Sequence, residues 1–460
     1  MNLLESYKNR LAISESVHQK SHNGAKMSAQ KKLMIAAVLN NTSKFMNEAF
    51  DSSAATQRSA LGDYKKFCLN VSTVALPNLI LPELMLTQPM TSITGYVTYL
   101  RYTSGIAKGG VEKDQMFGSV YRHGEMNEDR TRYTSDRVVE TLAADLKLAW
   151  TPVAEIVKVD GVALTDAEKA SIVVAEDGTI TAKEGSELPA SIKAGAKVAY
   201  IYDNVVVPQP SAIPTLKAAM DAIELHAHAR RIAIYYSQIA AFQAKTDYGY
   251  DLADQLSTQA QGELAYEIDT EGVLMLNSGA EEETTLIFPS YEKAGEADKH
   301  ISRSQYYEQF NEIVARAKKV IYQRTQKFAP NYMVVGANVL TIMPYVKGWT
   351  AAPASTVNGP YYAGSVDGLK VYCSPSIDEN RFFFGVNGSD LQTSAAVYAP
   401  YMAVVPTQLL GFADGGMSQG FSTMYDMKLL STYSYKDGKK VDDKAGEYSY
   451  LLVAGKFDAE

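Results

Sequence analysis

The side chains best suited to chemistry in this sequence are its six histidines, its two cysteines and a few clusters of charge. His226 and His228 stand two apart, so on a strand they share a face, and imidazoles so placed could chelate a metal ion. No third histidine or carboxylate completes the set at ligand spacing, and a structural or solvent-facing pair is the plainer reading. His18 and His22 are four apart, but the residues between them lack the glutamate of a zinc-protease helix. His123 and His300 stand alone. Cys68 and Cys373 are too few and too far apart for a disulfide framework or a structural zinc site, and read as buried or idle thiols of a reducing compartment. Glu281, Glu282 and Glu283 follow a helical pattern and read as a solvated loop, without the spaced oxygens of a calcium loop. Arg122, Glu125, Glu128, Asp129, Arg130 and Arg132 form a mixed-charge cluster, read either as a solvated loop or as inter-subunit salt bridges. There is no Gly-x-x-x-x-Gly-Lys-Ser/Thr phosphate loop, since Gly109-Gly110 runs into Val-Glu, and no Gly-x-Ser-x-Gly nucleophile elbow. The expectation is a non-enzyme with no catalytic residue, no cofactor and no metal.

Composition points the same way. A chain of 460 residues has room for about three domains. Apolar residues at 46% and charged residues at 21% are ordinary for globular proteins. No apolar run approaches the ~20 residues that span a bilayer, and the N-terminus lacks the basic start and apolar core of a signal peptide, so neither membrane insertion nor export is expected. The net charge of −8 argues against a dedicated DNA-binding module, which concentrates Lys and Arg against phosphate. Thirty tyrosines against two tryptophans suit either extended interfaces or a β-rich core.

The elements that would position these residues follow from texture and period. Residues 1–70 read as a mobile polar arm, and Met27 to Phe50 as an amphipathic helix within it that docks on something else. Pro77 to Pro82 is a proline-bracketed apolar turn, and Tyr96 to Tyr102 alternates as a strand. Residues 104–151 are expected to be an extended projecting loop, polar and glycine-rich. Residues 152–210 read as a small inserted β module, with turn dipeptides Asp160-Gly161 and Asp177-Gly178 between short β runs. The stretch 211–236 is ambiguous between helix and strand. Ser237 is a candidate N-cap for a short helix to Lys245, and Asp251 for a long helix to about Leu276. The long helix has an apolar stripe of Leu252, Leu256, Ala260, Leu264 and Ile268, and a third helix spans about Ser304 to Lys327. Met333 to Val335, Leu369 to Tyr372, Phe382 to Phe384 and Ala396 to Tyr398 read as strands of a mixed sheet, with a tail at 433–460. The class is α+β with an inserted β module.

Several of these segments, in order, resemble the T-even-type branch of tailed-bacteriophage major capsid proteins. They are Leu76-Pro77-Asn78-Leu79-Ile80 through Gln88-Pro89-Met90-Thr91-Ser92 to Gly95-Tyr96-Val97; Tyr236-Ser237-Gln238 through Tyr248-Gly249-Tyr250-Asp251 to Glu267-Ile268; Asn331 to Ala337; Gly368 to Tyr372; and Ala399 to Ala403. The resemblance covers roughly 76–430 and departs at 104–210, where only the position of an insertion matches. It implies the HK-97-type capsid fold, with 71–103, 211–330 and 401–432 in a peripheral domain that holds the long spine helix, and 331–400 in an axial domain. It also resolves 211–236 toward a strand. By the same resemblance the chain would form hexamers, with pentamers also open, in an icosahedral shell around double-stranded DNA held without sequence-specific binding. Its loop would reach over a neighbour and its N-terminal arm would clasp adjacent subunits. The implied partners are further copies of itself and scaffolding, portal, vertex or decoration proteins; the implied place is the virion head, assembled in the host bacterial cytoplasm. Leu3-Leu4-Glu5 resembles the site cut by maturation proteases of such phages, implying cleavage after Glu5. The alternatives left open are an encapsulin-like protein compartment, a tail sheath or tube protein, and an enzyme that uses His226 and His228 with a metal.

Overall fold

The computed structural model describes residues 3–21, 26–51, 73, 76–106, 137–148, 154–175, 177–202, 215–295, 300–325, 327–353, 359–407, 409–436, 439–442 and 445–458. The chain divides into two compact units, one of Met1–Thr98 with Ala222–Glu460 and one of Tyr99–Asp221.

The first unit begins with helices α1 (Lys8–Ser21) and α2 (Ala29–Asp51), followed by the short strand β1 (Leu86–Thr87) and by β2 (Thr94–Ser104), which runs across the boundary. The chain returns along β3 (Leu216–His226) and, after Ala227 alone, β4 (His228–Ser237). Then come helices α3 (Gln238–Asp247) and α4 (Leu252–Ser278), strand β5 (Glu281–Pro289), and helices α5 (Arg303–Glu308) and α6 (Phe310–Thr325). Strands β6 (Tyr332–Val335), β7 (Thr350–Ala351), β8 (Tyr361–Val366), β9 (Leu369–Cys373) and β10 (Arg381–Gly385) precede β11 (Ala396–Pro406), β12 (Leu410–Gly411) and β13 (Gly416–Leu429). The chain closes with β14 (Thr432–Lys436), β15 (Lys439–Asp442), β16 (Tyr448–Ser449) and β17 (Leu452–Asp458).

Two sheets organise this unit. A five-stranded sheet runs β1-β11-β13-β4, with β12 also paired to β13, and a seven-stranded sheet runs β5-β17-β10-β6-β9-β8-β7. The spine helix α4 starts where its cap predicts, with the Asp251 carboxylate accepting from the amides of Ala253 and Asp254. Its expected stripe buries Ala260 and Leu264 and half-buries Leu252 and Leu256 against Ile234 and Tyr236 of β4, Val404 of β11 and Phe421 of β13, and Ile268 of the same stripe is buried as well. Gly272 lies on the same helix where a Cβ would overlap the Leu81 side chain, so only glycine allows that approach. The seven-stranded sheet owes its core to aromatic residues. Phe382, Phe383 and Phe384 of β10 and Tyr332 of β6 are buried, and α6 covers the sheet with Phe310, Ile313, Ala317 and Ile321.

The structure corrects several sequence expectations. The N-terminal helices do not form a free arm: Met34, Ile35, Val38 and Leu39 of α2 are buried within the chain's own first unit, and Met46 packs on Met402 and Val405 of β11. The third helix is split in two at Gln309, whose amide bonds back to Tyr306 through a tightened i→i+3 turn. The strands expected in one mixed sheet divide between two, because β11 pairs with β13 while β6, β9 and β10 pair among themselves. Residues 433–460 are more than a tail, since β17 lies between β5 and β10 in the seven-stranded sheet.

The second unit contains a β module whose core is Leu142, Leu148, Ile156, Val159, Leu164, Ile180, Ile192, Val198 and Tyr200. It begins at Arg137, earlier than the expected 152, because Arg137–Thr141 pairs with Lys197–Tyr202, which pairs in turn with Ala154–Val159. The stretch expected as a loop at 104–151 therefore ends in a paired strand, and its residues 107–136 lie outside the described residues. Asp160 and Gly161 take positive φ of 48° and 81°, the left-handed pair that a two-residue hairpin turn requires. Thr165 and Glu168 form a capping box that starts a short helix, Asp166–Ala170, which the β pattern had hidden.

Candidate assembly surfaces

The N-terminal helices are held by a buried polar anchor built around the apolar turn at 76–84. The ammonium of Lys31, on α2, donates to the carbonyl of Leu79 at 2.9 Å and lies 3.5 Å from Nδ1 of His18 on α1. That same imidazole nitrogen is 3.1 Å from the carbonyl of Pro77. On the other side of the turn, the Asp269 carboxylate of α4 accepts from the amides of Ile80 at 3.1 Å and Leu81 at 3.2 Å. Glu83 then ties the turn to the seven-stranded sheet, accepting from Tyr372 Oη at 2.6 Å and Lys370 Nζ at 3.3 Å. Burial dominates the electrostatics of the anchor. It pulls the Lys31 ammonium down to about 8, with Glu83 and Asp269 opposing, and pushes the Asp269 carboxyl up to about 7 against the two amides that stabilise its charged form. Burial, with Lys31 beside it, also lowers the His18 imidazole. The sequence signal for this anchor was weak: a lysine on the apolar face of α2 and an aspartate on the apolar face of α4, each placed where helical period asks for a hydrophobe.

A second surface lies at the start of the spine helix. Ser237 caps α3 by accepting from the Ala240 amide at 3.1 Å, yet the helix leaves Ile239 73% and Phe242 71% exposed. Tyr248 stacks on Tyr250 with ring centroids 6.0 Å apart, and Tyr235 lies 6.2 Å from Phe412 while its hydroxyl donates to Asp414. With Leu410, these residues make an exposed apolar surface of a kind that solvent alone does not favour. Sequence reading missed it because its residues come from the helical pattern at 238–250 and from the distant turn at 409–415.

The residues singled out from the sequence are scattered. His226 and His228 meet edge to face with centroids 5.1 Å apart, and the amide of His226 donates to the Asp426 carboxylate at 2.8 Å. Among the described residues no group of three or more His, Cys, Asp and Glu side chains is placed to hold a metal ion. His18 belongs to the buried anchor, and His22 lies outside the described residues, as do Cys68, Arg122, Glu125, Glu128, Asp129, Arg130 and Arg132. Cys373 is a buried free thiol whose pKa burial raises, the opposite of an activated nucleophile. Glu5 is exposed in a short helix, Leu3–Ser6. Glu281, Glu282 and Glu283 are not on a solvated loop but in β5, where Arg324 reaches Glu281 at 2.8 Å and Glu283 at 3.1 Å and the hydroxyls of Tyr433 and Tyr435 donate to Glu281.

A family model for the major capsid protein Gp23 matches residues 62–453. The chain belongs to the Gp23 major capsid protein family. It is thus a shell-building protein of a bacteriophage capsid, its fold is α+β, and the T-even resemblance read from its motifs agrees with that family. Among solved structures, this Gp23-family chain is similar to one from Mycobacterium phage Che8, with 14% identity over 52% of this chain and 74% of that one and a TM-score of 0.33. The capsid structure of the cyanophage P-SCSP1u shares 9% identity over 53% of this chain and 76% of that one, with a TM-score of 0.32. The SrpI encapsulin of Synechococcus elongatus PCC 7942 shares 10% identity over 52% and 77%, with a TM-score of 0.33. A search of curated proteins finds no match.

Proposed function

We propose that this Gp23-family subunit builds hexamers, and pentamers with them, that close an icosahedral head around packaged double-stranded DNA, without a catalytic step, cofactor or metal of its own. The observation that carries the reading is the family match over residues 62–453. In this reading 71–103, 211–330 and 401–432 form the peripheral domain, and 331–400 the axial domain at the capsomer centre. The loop within 104–151 reaches over a neighbour, and Arg122, Glu125, Glu128, Asp129, Arg130 and Arg132 make salt bridges between subunits. Assembly takes place in the host bacterial cytoplasm with scaffolding, portal, vertex or decoration proteins, and a maturation protease cuts after Glu5. A net charge of −8 suits a container whose wall does not grip the polymer inside it.

Electron microscopy and sedimentation of the purified chain in mild salt test this reading. Closed shells or hexamer-sized rings are expected. A monodisperse monomer that carries stoichiometric metal would count against a shell role and return attention to His226 and His228.

A further inference from the structure

Residues 77–88 spend their polar groups on four parts of the first unit, taken in order along the chain. The carbonyls of Pro77 and Leu79 face the N-terminal helices, where His18 of α1 and Lys31 of α2 reach them. The amides of Ile80 and Leu81 donate to Asp269 of the spine helix. The Glu83 carboxylate accepts from Tyr372 and Lys370 of β9, and its carbonyl accepts from Nδ2 of Asn387 at 2.9 Å, just past β10. Leu86 and Thr87 then pair in parallel with Val397 and Tyr398 of β11, and the Gln88 amide donates to the Tyr398 carbonyl at 2.9 Å. One short stretch thus touches both N-terminal helices, the spine helix and both large sheets.

The stretch has little freedom to yield at one contact alone. Within it the Glu83 amide donates to the Ile80 carbonyl and the Met85 amide to the Leu81 carbonyl, both at 2.8 Å, and Pro82 fixes its own φ. Leu79, Ile80, Leu81, Leu84 and Met85 are buried, and Leu81 fills the notch left by Gly272 of α4. The partners on its several sides are buried too: Lys31 is 2% exposed, Asp269 4% and Tyr372 1%. Lys31 also attracts the Glu83 and Asp269 carboxylates across the turn. A partner lost from one side leaves a polar group of the turn buried and unpaired, which costs more than the bond itself contributes. A closely packed segment answers such a loss by shifting as a body, because packed cores do not deform continuously.

We propose that the turn at 76–84 is a strap that couples the seating of the N-terminal helices to the hold on the seven-stranded sheet at β9. With α1 and α2 seated, His18 and Lys31 fix one end of the turn, and Glu83 at the other end is held against Tyr372. When the helices lose that hold, the first end is freed and the loosening passes to β9. Coupling of this kind is reciprocal, so a loss at β9 loosens α2 by the same factor. The strap lies within one subunit, and it stands or falls apart from the shell reading.

Lys31 and Tyr372 share no hydrogen bond, so the pair tests the strap between them. Hydrogen exchange is read on the full chain for Lys31→Met, which keeps the length of the side chain, and for Tyr372→Phe, which removes only a hydroxyl. Peptides covering 416–423 of β13, which make none of the contacts above, correct for any change in global stability. Lys31→Met should speed exchange at 369–373 by about threefold or more relative to that reference, and Tyr372→Phe should do the same at 31–39. In denaturant titrations the double variant should lose less stability than the two single losses combined, since either one already frees the turn. A variant whose effect stays on its own side of the turn, or losses that simply add, would overturn the strap.

Discussion

At the residue scale, the anchor at 76–84 shows how a shell-building protein can hold strongly perturbed groups in its core. Perturbed ionisable residues often mark functional sites, but structural networks produce them too. Asp269 is buried at the centre of the spine helix and is matched by two backbone amides. Asp269→Ala leaves both amides buried without an acceptor and should lower unfolding stability by about 2–4 kcal/mol in a denaturant titration. Asp269→Asn keeps an acceptor oxygen and removes the titration. Because the folded pKa is raised to about 7 from an unfolded value near 3.8, the protonated form is favoured by folding. That contribution is fully present below the unfolded value and is lost as pH rises through about 7. Wild type should therefore lose stability relative to Asp269→Asn between about pH 4 and 7, and a pH-independent difference between the two proteins would sink the assignment. The same scale explains the misreading of Glu281 to Glu283. Three successive acids look like a solvated loop, and their partners, the cations of Arg324 and Arg381 and the hydroxyls of Tyr433 and Tyr435 that donate to Glu281, lie at positions that no local window contains.

At the element scale, what was legible in the sequence is what local chemistry determines. Ser237 and Asp251 announced their helices because a cap needs only the next three residues. The α4 stripe was visible because it repeats every turn, and Asp160-Gly161 because two left-handed residues suffice for a hairpin. Partner choice was not legible. Nothing in Leu452 to Asp458 says that it pairs with Glu281–Pro289 on one side and Arg381–Gly385 on the other, since both depend on long-range packing. The N-terminal helices were misplaced for the same reason: the amphipathic period of α2 reveals that it docks, not on what. Their docking carries a prediction. Removing residues 1–60 would uncover Met402 and Val405 on β11 and deprive the carbonyls of Met90 and Tyr401 of the Asn41 amide that donates to them. Such a truncation should melt several degrees lower than the full chain and aggregate on heating, as read by differential scanning calorimetry and light scattering. A truncated protein as stable and monodisperse as the full chain would restore the picture of a free arm that clasps neighbours.

At the scale of the whole molecule, the division into two units follows from where apolar side chains can be buried. The β module closes its own core with residues from 142 to 200 and needs no side chain of the first unit to do so. Its terminal strands, Arg137–Thr141 and Lys197–Tyr202, are neighbours in one sheet with Arg137 opposite Ile201, so the chain enters and leaves at one place. An insertion with adjacent ends can be lengthened, exchanged or removed at small cost to the host, because closing the gap requires only a short turn. Two measurements follow from the same geometry. A polypeptide of residues 137–202 should fold by itself, with a cooperative thermal transition, since small domains of this size stand on a core of this kind. The complementary protein, in which a Gly-Ser turn joins Thr141 to Lys197, should keep the unfolding midpoint of the first unit to within a few degrees. Loss of a cooperative transition in the isolated module, together with collapse of the shortened chain, would mean that the two units share one core after all. A stable shortened chain that no longer forms shells would instead place the module's role at the surface between copies.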